Sequence, residues 1–221
     1  NLAAAFEDRG DYAAAEPLLR ESLALREQRF GEEHGYTLRA RLNLARLLLR
    51  QRRHEPARVL AASTLAAYQR ALGGEHPDTH LAEWQLAWIE WSAAPDAART
   101  PDRLIAASEA VLVDTVPTSL RGLVVRGVLA RALLDDGQLD EARSRLIGLV
   151  DDYRASFGPA HPKAAELELE LARIDAAEGR PAVAAERIAR VEPLLQQALA
   201  PQSPALALLS CLSRPANMGC H

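Results

Sequence analysis

A short hinge recurs along these 221 residues and constrains everything else. "FGEEHGYT" starts at 30, "LGGEHPDT" at 72, "FGPAHPKA" at 157 and a worn form, "LAPQSPAL", at 199. The starts lie 42, 85 and 42 residues apart, and 85 is two periods with one extra residue. A second marker keeps the same beat: "NLAAAFEDRGDYAAAEPLL" at 1, "NLARLLLRQRRHEPARVLA" at 43, "VLARALLDDGQLDEARSRL" at 128 and "ELARIDAAEGRPAVAAERI" at 170. Small residues fall in register at Ala3, Ala45, Ala87, Ala130 and Ala172, and again at Ala15, Ala57, Ala142 and Ala184. A period of this length means a one-dimensional array, because each repeat buries its apolar face only by stacking on the next.

The repeated element is helical. Ala, Leu, Arg and Glu dominate while aromatic residues make up 5%, and the favoured types lose little rotamer freedom in a helix. Each repeat reads as helix, short turn, helix, longer turn. In the fourth, the first helix is expected from about Ser119 to Asp136, ended by Gly137, and the second runs to about Phe157. Glycine suits that place because it enters the left-handed region without a Cβ clash. Gly73 ends a helix in the same way, and Pro77 suits the first turn of the next, where its missing N–H costs nothing. His34, His76 and His161 recur one per repeat between stop and start. Translated copies do not converge on a metal, so these histidines read as punctuation.

The markers "NLA…G-x-Y/L-x-x-A" and "(L/F)-G-x-x-H-P" resemble those of the tetratricopeptide repeat, in the 42-residue variety of kinesin light chains and many bacterial proteins. The matching residues are Asn1-Leu2-Ala3, Gly10, Tyr12, Ala15, Gly31 and His34, then Asn43-Leu44-Ala45, Ala57, Gly73, His76 and Pro77. Ala130, Gly137, Leu139, Ala142, Gly158, His161 and Pro162 follow. The resemblance implies an all-α fold, a right-handed solenoid of stacked antiparallel helix pairs over residues 1–206. Its repeats fall at about 1–35, 36–77, 78–119, 120–162 and 163–204, with a short capping helix over 204–213 and a tail over 214–221. The third repeat departs from the pattern: "WSAAPDAARTPDRL" has no glycine at its turn, "VDTVPTSL" replaces the hinge, and a short second helix is expected from about Pro101 to Asp114.

What the resemblance implies about function is binding of a protein or extended peptide on the surface lined by the first helix of each repeat. Arg39, Asn43, Arg46 and Arg50 recur at i, i+4, i+7 and i+11, one stripe of a helix. The family's groove face matches this stripe, and Asn43 sits where related repeats hold a ligand backbone. Guanidinium forks suit carboxylates, so an acidic peptide is the expected ligand. Trp84, Trp88 and Trp91 form a second stripe, readable either as packing or as the pocket for an apolar anchor. The fourth repeat adds Arg131 and Asp135, and the fifth Glu166, Glu170 and Arg173.

Other functions find little support. A formal charge of −4 lacks the basic footprint of nucleic-acid binding. No apolar run approaches the roughly 20 residues of a membrane helix. No nucleotide, metalloprotease, hydrolase or Cys-x-x-Cys motif occurs, so neither catalysis, cofactor nor metal is expected of this segment. Cys211 and Cys220 both lie in the last eleven residues, which fits a reducing, cytoplasmic setting. The chain opens inside a helical pattern without an initiator Met, so a segment of a longer intracellular signalling protein is expected. The alternative is a regulatory or substrate-recruiting arm of an enzyme on the same polypeptide, such as a bacterial Ser/Thr kinase. Self-association through the third repeat or the last helix is a further possibility.

Overall fold

The computed structural model describes residues 2–95, 101–201 and 203–213, and among them it has eleven helices and no strand. The N-terminal unit, 1–114, holds α1 (Leu2–Asp8), α2 (Tyr12–Phe30), α3 (Gly35–Arg50), α4 (His54–Leu72), α5 (Pro77–Ala93) and α6 (Asp102–Val113). The C-terminal unit, 115–221, holds α7 (Leu120–Asp135), α8 (Leu139–Phe157), α9 (Pro162–Ala177), α10 (Pro181–Ala198) and α11 (Pro204–Leu212). Within each unit consecutive helices pack as hairpins, and first helices also meet one another: α3 touches α5, and α7 touches α9. This is an all-α helical-repeat solenoid. Residues 96–100 of the eroded third repeat and the tail 214–221, with Cys220 and His221, lie outside the described residues. Cys211 of α11 is disulfide-bonded.

Packing explains the register of small residues. None of the nine aligned alanines is more than 3% exposed, so each lets a neighbouring helix approach closely. Leu38, Leu47, Leu129, Leu146, Leu149 and Leu169 fill the space between, all essentially buried. Core of this kind stabilises by about 25 cal/mol per Å² of apolar surface removed from water. In α11, Leu209 and Leu212 join the cluster formed by Leu169, Ile188, Val191 and Leu195 of α9 and α10. That short helix closes the apolar face that α9 and α10 would otherwise leave open.

The hinge works through a glycine, a histidine and, in the first two copies, a threonine. Gly31, Gly73 and Gly158 follow α2, α4 and α8 with φ of +88°, +82° and +97°, and each donates its N–H back into the last turn. The histidine three residues on is the N-cap of the next helix. His34 Nδ1 accepts the Tyr36 N–H at 3.2 Å, His76 Nδ1 the Asp78 N–H at 3.1 Å, and His161 Nδ1 the Lys163 N–H at 3.2 Å. An imidazole nitrogen thus does the work usually given to Ser or Asp, satisfying one of the helix's unpaired donors. The threonine that follows donates backwards: Thr37 Oγ1 to the Gly31 carbonyl at 2.7 Å, and Thr79 Oγ1 to Gly73 at 2.8 Å. Where "VPTSL" replaces the hinge, Ser119 caps α7 instead, its Oγ accepting the Gly122 N–H at 3.2 Å. Gly122 is held to that identity, since a Cβ there would meet the Val116 and Pro117 carbonyl oxygens at 2.6 Å.

The inner turn has one misfit. Gly10, Gly137 and Gly179 take φ of +72° to +81°, whereas the same position in the second repeat is Arg52, at +59°. A side chain in this region costs about 1–2 kcal/mol, and Arg52 is exposed. Arg52→Gly is therefore expected to stabilise the protein by about 0.5–1 kcal/mol after the extra unfolded-state entropy of glycine. The measurement is a urea titration followed by circular dichroism; a midpoint that falls would contradict the strain.

Candidate binding surface

The stripe on α3 divides into exposed and engaged members. Arg39 and Asn43 are exposed, and neither side chain holds an internal hydrogen bond or ion pair among the described residues. Arg46 is half-buried and forks onto Glu7 of α1, with Nη1 to Oε2 at 2.9 Å and Nη2 to Oε1 at 3.4 Å. Arg50 lays its guanidinium over the Trp88 ring, 5.3 Å from the centroid. The two engaged arginines therefore brace neighbouring first helices, and the two free polar groups face water.

The tryptophans do not share one surface. One period of 42 places Leu81, Gln85, Trp88 and Ser92 of α5 at the positions of Arg39, Asn43, Arg46 and Arg50. Trp84 and Trp91 fall one residue aside, at the places of buried Leu42 and Leu49. Trp84 and Trp88 pack with ring centroids 5.3 Å apart and are 3% and 5% exposed. Trp91 is half-buried. Gln85 is buried too and donates to the Leu42 carbonyl, tying α5 to α3. The Trp84 indole N–H is buried without a partner, a cost that aromatic packing offsets.

In the C-terminal unit the same register brings charges together. Arg131 on α7 and Arg173 on α9 both stand at the Arg46 position, and Glu170 on α9 stands at the Asn43 position. Arg131 Nε donates to Glu170 Oε1 at 2.8 Å, Arg173 Nη1 to Glu170 Oε2 at 2.8 Å, and Arg173 Nη2 to Asp135 at 3.0 Å. Burial alone would raise the Glu170 carboxyl, but the Arg131 and Arg173 guanidiniums overcome it and hold its pKa below the ordinary carboxylate value. Burial likewise opposes the charge on Arg131, and Glu170, Glu166 and Asp135 together more than restore it.

A second cluster lies on the other side of α9, and sequence reasoning did not find it. Asp175 is 1% exposed and accepts from Arg143 of α8 at 2.9 Å, Arg180 at 3.0 Å and Arg187 of α10 at 3.1 Å. Glu168, also buried, bridges Arg154 at 2.8 Å and Arg187. Glu178 pairs with Arg143 and Arg180. A signal was present in "ELELELARID". Alternate residues of a helix point about 200° apart, so Glu166, Glu168 and Glu170 cannot all share one solvated face.

No group of three or more His, Cys, Asp and Glu among the described residues has metal-binding geometry, and none of their helices is long and apolar enough to cross a membrane. Arg39 and Asn43 leave a cation and an amide exposed on α3. Models of the tetratricopeptide repeat match residues 1–70 and 123–163. Comparison with curated proteins gives no match. Among solved structures the chain is similar to two from Podosopora anserina, both assigned as nearly identical TPR-like repeats of a kinesin light chain, one of them a single-residue variant. Each is 24% identical over 89% of this chain and 92% of the other, with TM-scores of 0.54 for the variant and 0.52, a likeness that shows the shared fold. Tetratricopeptide repeats are protein-interaction scaffolds in general, and by its hinges, its aligned alanines and these matches the chain belongs to the tetratricopeptide-repeat family.

Proposed function

We propose that the chain is a peptide-binding scaffold that takes an acidic segment of its partner on the first-helix stripe of the N-terminal unit. The observation that carries this reading is the pair Arg39 and Asn43, exposed and unengaged one turn apart on α3. Asn43 offers both a donor and an acceptor to a peptide backbone, and Arg39 a fork for a carboxylate. Arg46 and Arg50 add positive potential from behind while keeping their own partners. The half-buried Trp91 supports an apolar anchor in the peptide better than Trp84 or Trp88, whose rings are covered.

The test is fluorescence polarisation with a labelled acidic nonapeptide carrying a central leucine. Charge-assisted hydrogen bonds are worth about 1.5–3 kcal/mol, so Arg39→Glu is expected to weaken binding by roughly tenfold or more. The affinity should also fall steeply with salt. Both substituted side chains of an Arg39→Glu/Asn43→Ala pair are exposed, so the fold should survive. Equal affinity of wild type and this pair would overturn the reading.

A further inference from the structure

Glu170 is an unusual tenant of its position. In α3 the same place holds Asn43, exposed and open to a ligand. In α9 it holds a carboxylate that is 4% exposed and gripped from two sides by Arg131 and Arg173, both of which stand at the Arg46 position of successive repeats. Two first helices thus aim guanidiniums at one point, and the point is filled from within. Asp135 accepts from the other terminal nitrogen of Arg173. On α7 the stripe above Arg131 is Val124 and Val128, which offers a peptide carboxylate nothing.

We propose that Arg131 and Arg173 form a carboxylate clamp closed by the chain's own Glu170, which makes Glu170 the residue that turns acidic peptide segments away from the C-terminal unit. The proposal rests on the reading that the partner segment is acidic. It gives that segment a defined footprint: on α3 Arg39 is a cation in need of an anion, whereas Arg131 on α7 and Arg173 on α9 are already matched. Charge matching inside the protein disfavours a like-charged competitor, because a second carboxylate would face Glu170 at guanidiniums that Glu170 already holds.

The experiment follows arginine Nε–Hε signals by NMR in the full chain as hexaglutamate is added. In wild type the Arg39 signal should move and the Arg131 signal should stay. In Glu170→Gln, which keeps the shape and removes the charge, Arg131 should respond saturably at a peptide concentration at least about tenfold lower than in wild type, a tenfold change being about 1.4 kcal/mol. Glu170→Asn, which installs the residue that α3 carries at the same place, should respond likewise, and adding Arg173→Ala should abolish the response. A folded variant whose Arg131 signal ignores the peptide would sink the clamp. So would loss of fold in both Glu170→Gln and Glu170→Asn, because the carboxylate would then be serving cohesion alone. A static Arg39 alongside a responsive Arg131 in the variants would instead remove the α3 reading and leave the clamp standing.

Discussion

Asp175→Ala is expected to lower the stability of the C-terminal unit by about 3–5 kcal/mol, the cost of breaking a buried ion network by removing one member. The carboxylate is nearly inaccessible and receives guanidiniums from both flanking elements, Arg143 from α8 and Arg187 from α10, with Arg180 at the turn between α9 and α10. Taking it away strands positive charge in a partly desolvated site, where Arg187 still meets Glu168 and Arg143 still meets Glu178. Those surviving partners set the lower end of the range. Asp175→Asn should cost less, because an amide oxygen still accepts a hydrogen bond. Urea unfolding followed by circular dichroism measures both; a loss under about 1 kcal/mol for the alanine would mean that the arginines relax into solvent and that the network is ornament.

The fold was legible in the sequence because two independent signals shared one period. Glycines that require positive φ marked where α2, α4 and α8 stop, and alanines marked where helices touch. Neither depends on long-range detail. The site was less legible. The spacing of Arg39, Asn43, Arg46 and Arg50 places them on one stripe, but spacing does not say which arginine is already spoken for. Glu7 and Trp88, far along the chain from the arginines they engage, settle that for Arg46 and Arg50. Trp84, Trp88 and Trp91 look like one surface at helical spacing, yet counting the period back to α3 separates them, and that count needs only the sequence. The roles of His34, His76 and His161 are intermediate: their position between helices is written in the hinge, but the use of Nδ1 as the cap acceptor is a matter of ring geometry.

The charge networks also bear on how an array of similar hairpins keeps its order. Alanine–leucine faces repeated every 42 residues resemble one another, so apolar burial discriminates weakly between the right neighbour and a similar one. Glu168 and Asp175 give α9 an identity of its own. Their places hold Arg126 and Leu133 on α7, and Arg41 and Leu48 on α3. Acids recur there only on α5, as Glu83 and Glu90, and both of those are half-buried rather than enclosed. Buried ion pairs add little net stability over apolar packing. Their contribution in α8, α9 and α10 is selectivity, since these neighbours supply the guanidiniums that the acids of α9 need.

Acidification is expected to melt the C-terminal unit before the N-terminal one. Burial pushes the Asp175 carboxyl up, but hydrogen bonds from Arg143, Arg180 and Arg187 pull it below its ordinary value, and Glu170 is lowered in the same way by Arg131 and Arg173. A carboxyl with a depressed folded pKa holds its proton less tightly when folded than when unfolded. Its contribution is therefore complete above about pH 5 and is lost as the pH falls from about 4 through the folded value. In the N-terminal unit Glu16 is also lowered, first by the Gln51 hydrogen bond and then by Arg20 and Arg53. That carboxyl is only half-buried on α2, where water screens much of the effect. All three tryptophans lie on α5, so indole fluorescence reports the N-terminal unit while circular dichroism at 222 nm, roughly the helix band, reports both. Between about pH 4 and pH 2 ellipticity should fall before the fluorescence changes, and Glu170→Gln should flatten the early step. Transitions that coincide at every pH would show instead that the two units lose structure together and that the buried acids of α9 do not set the order.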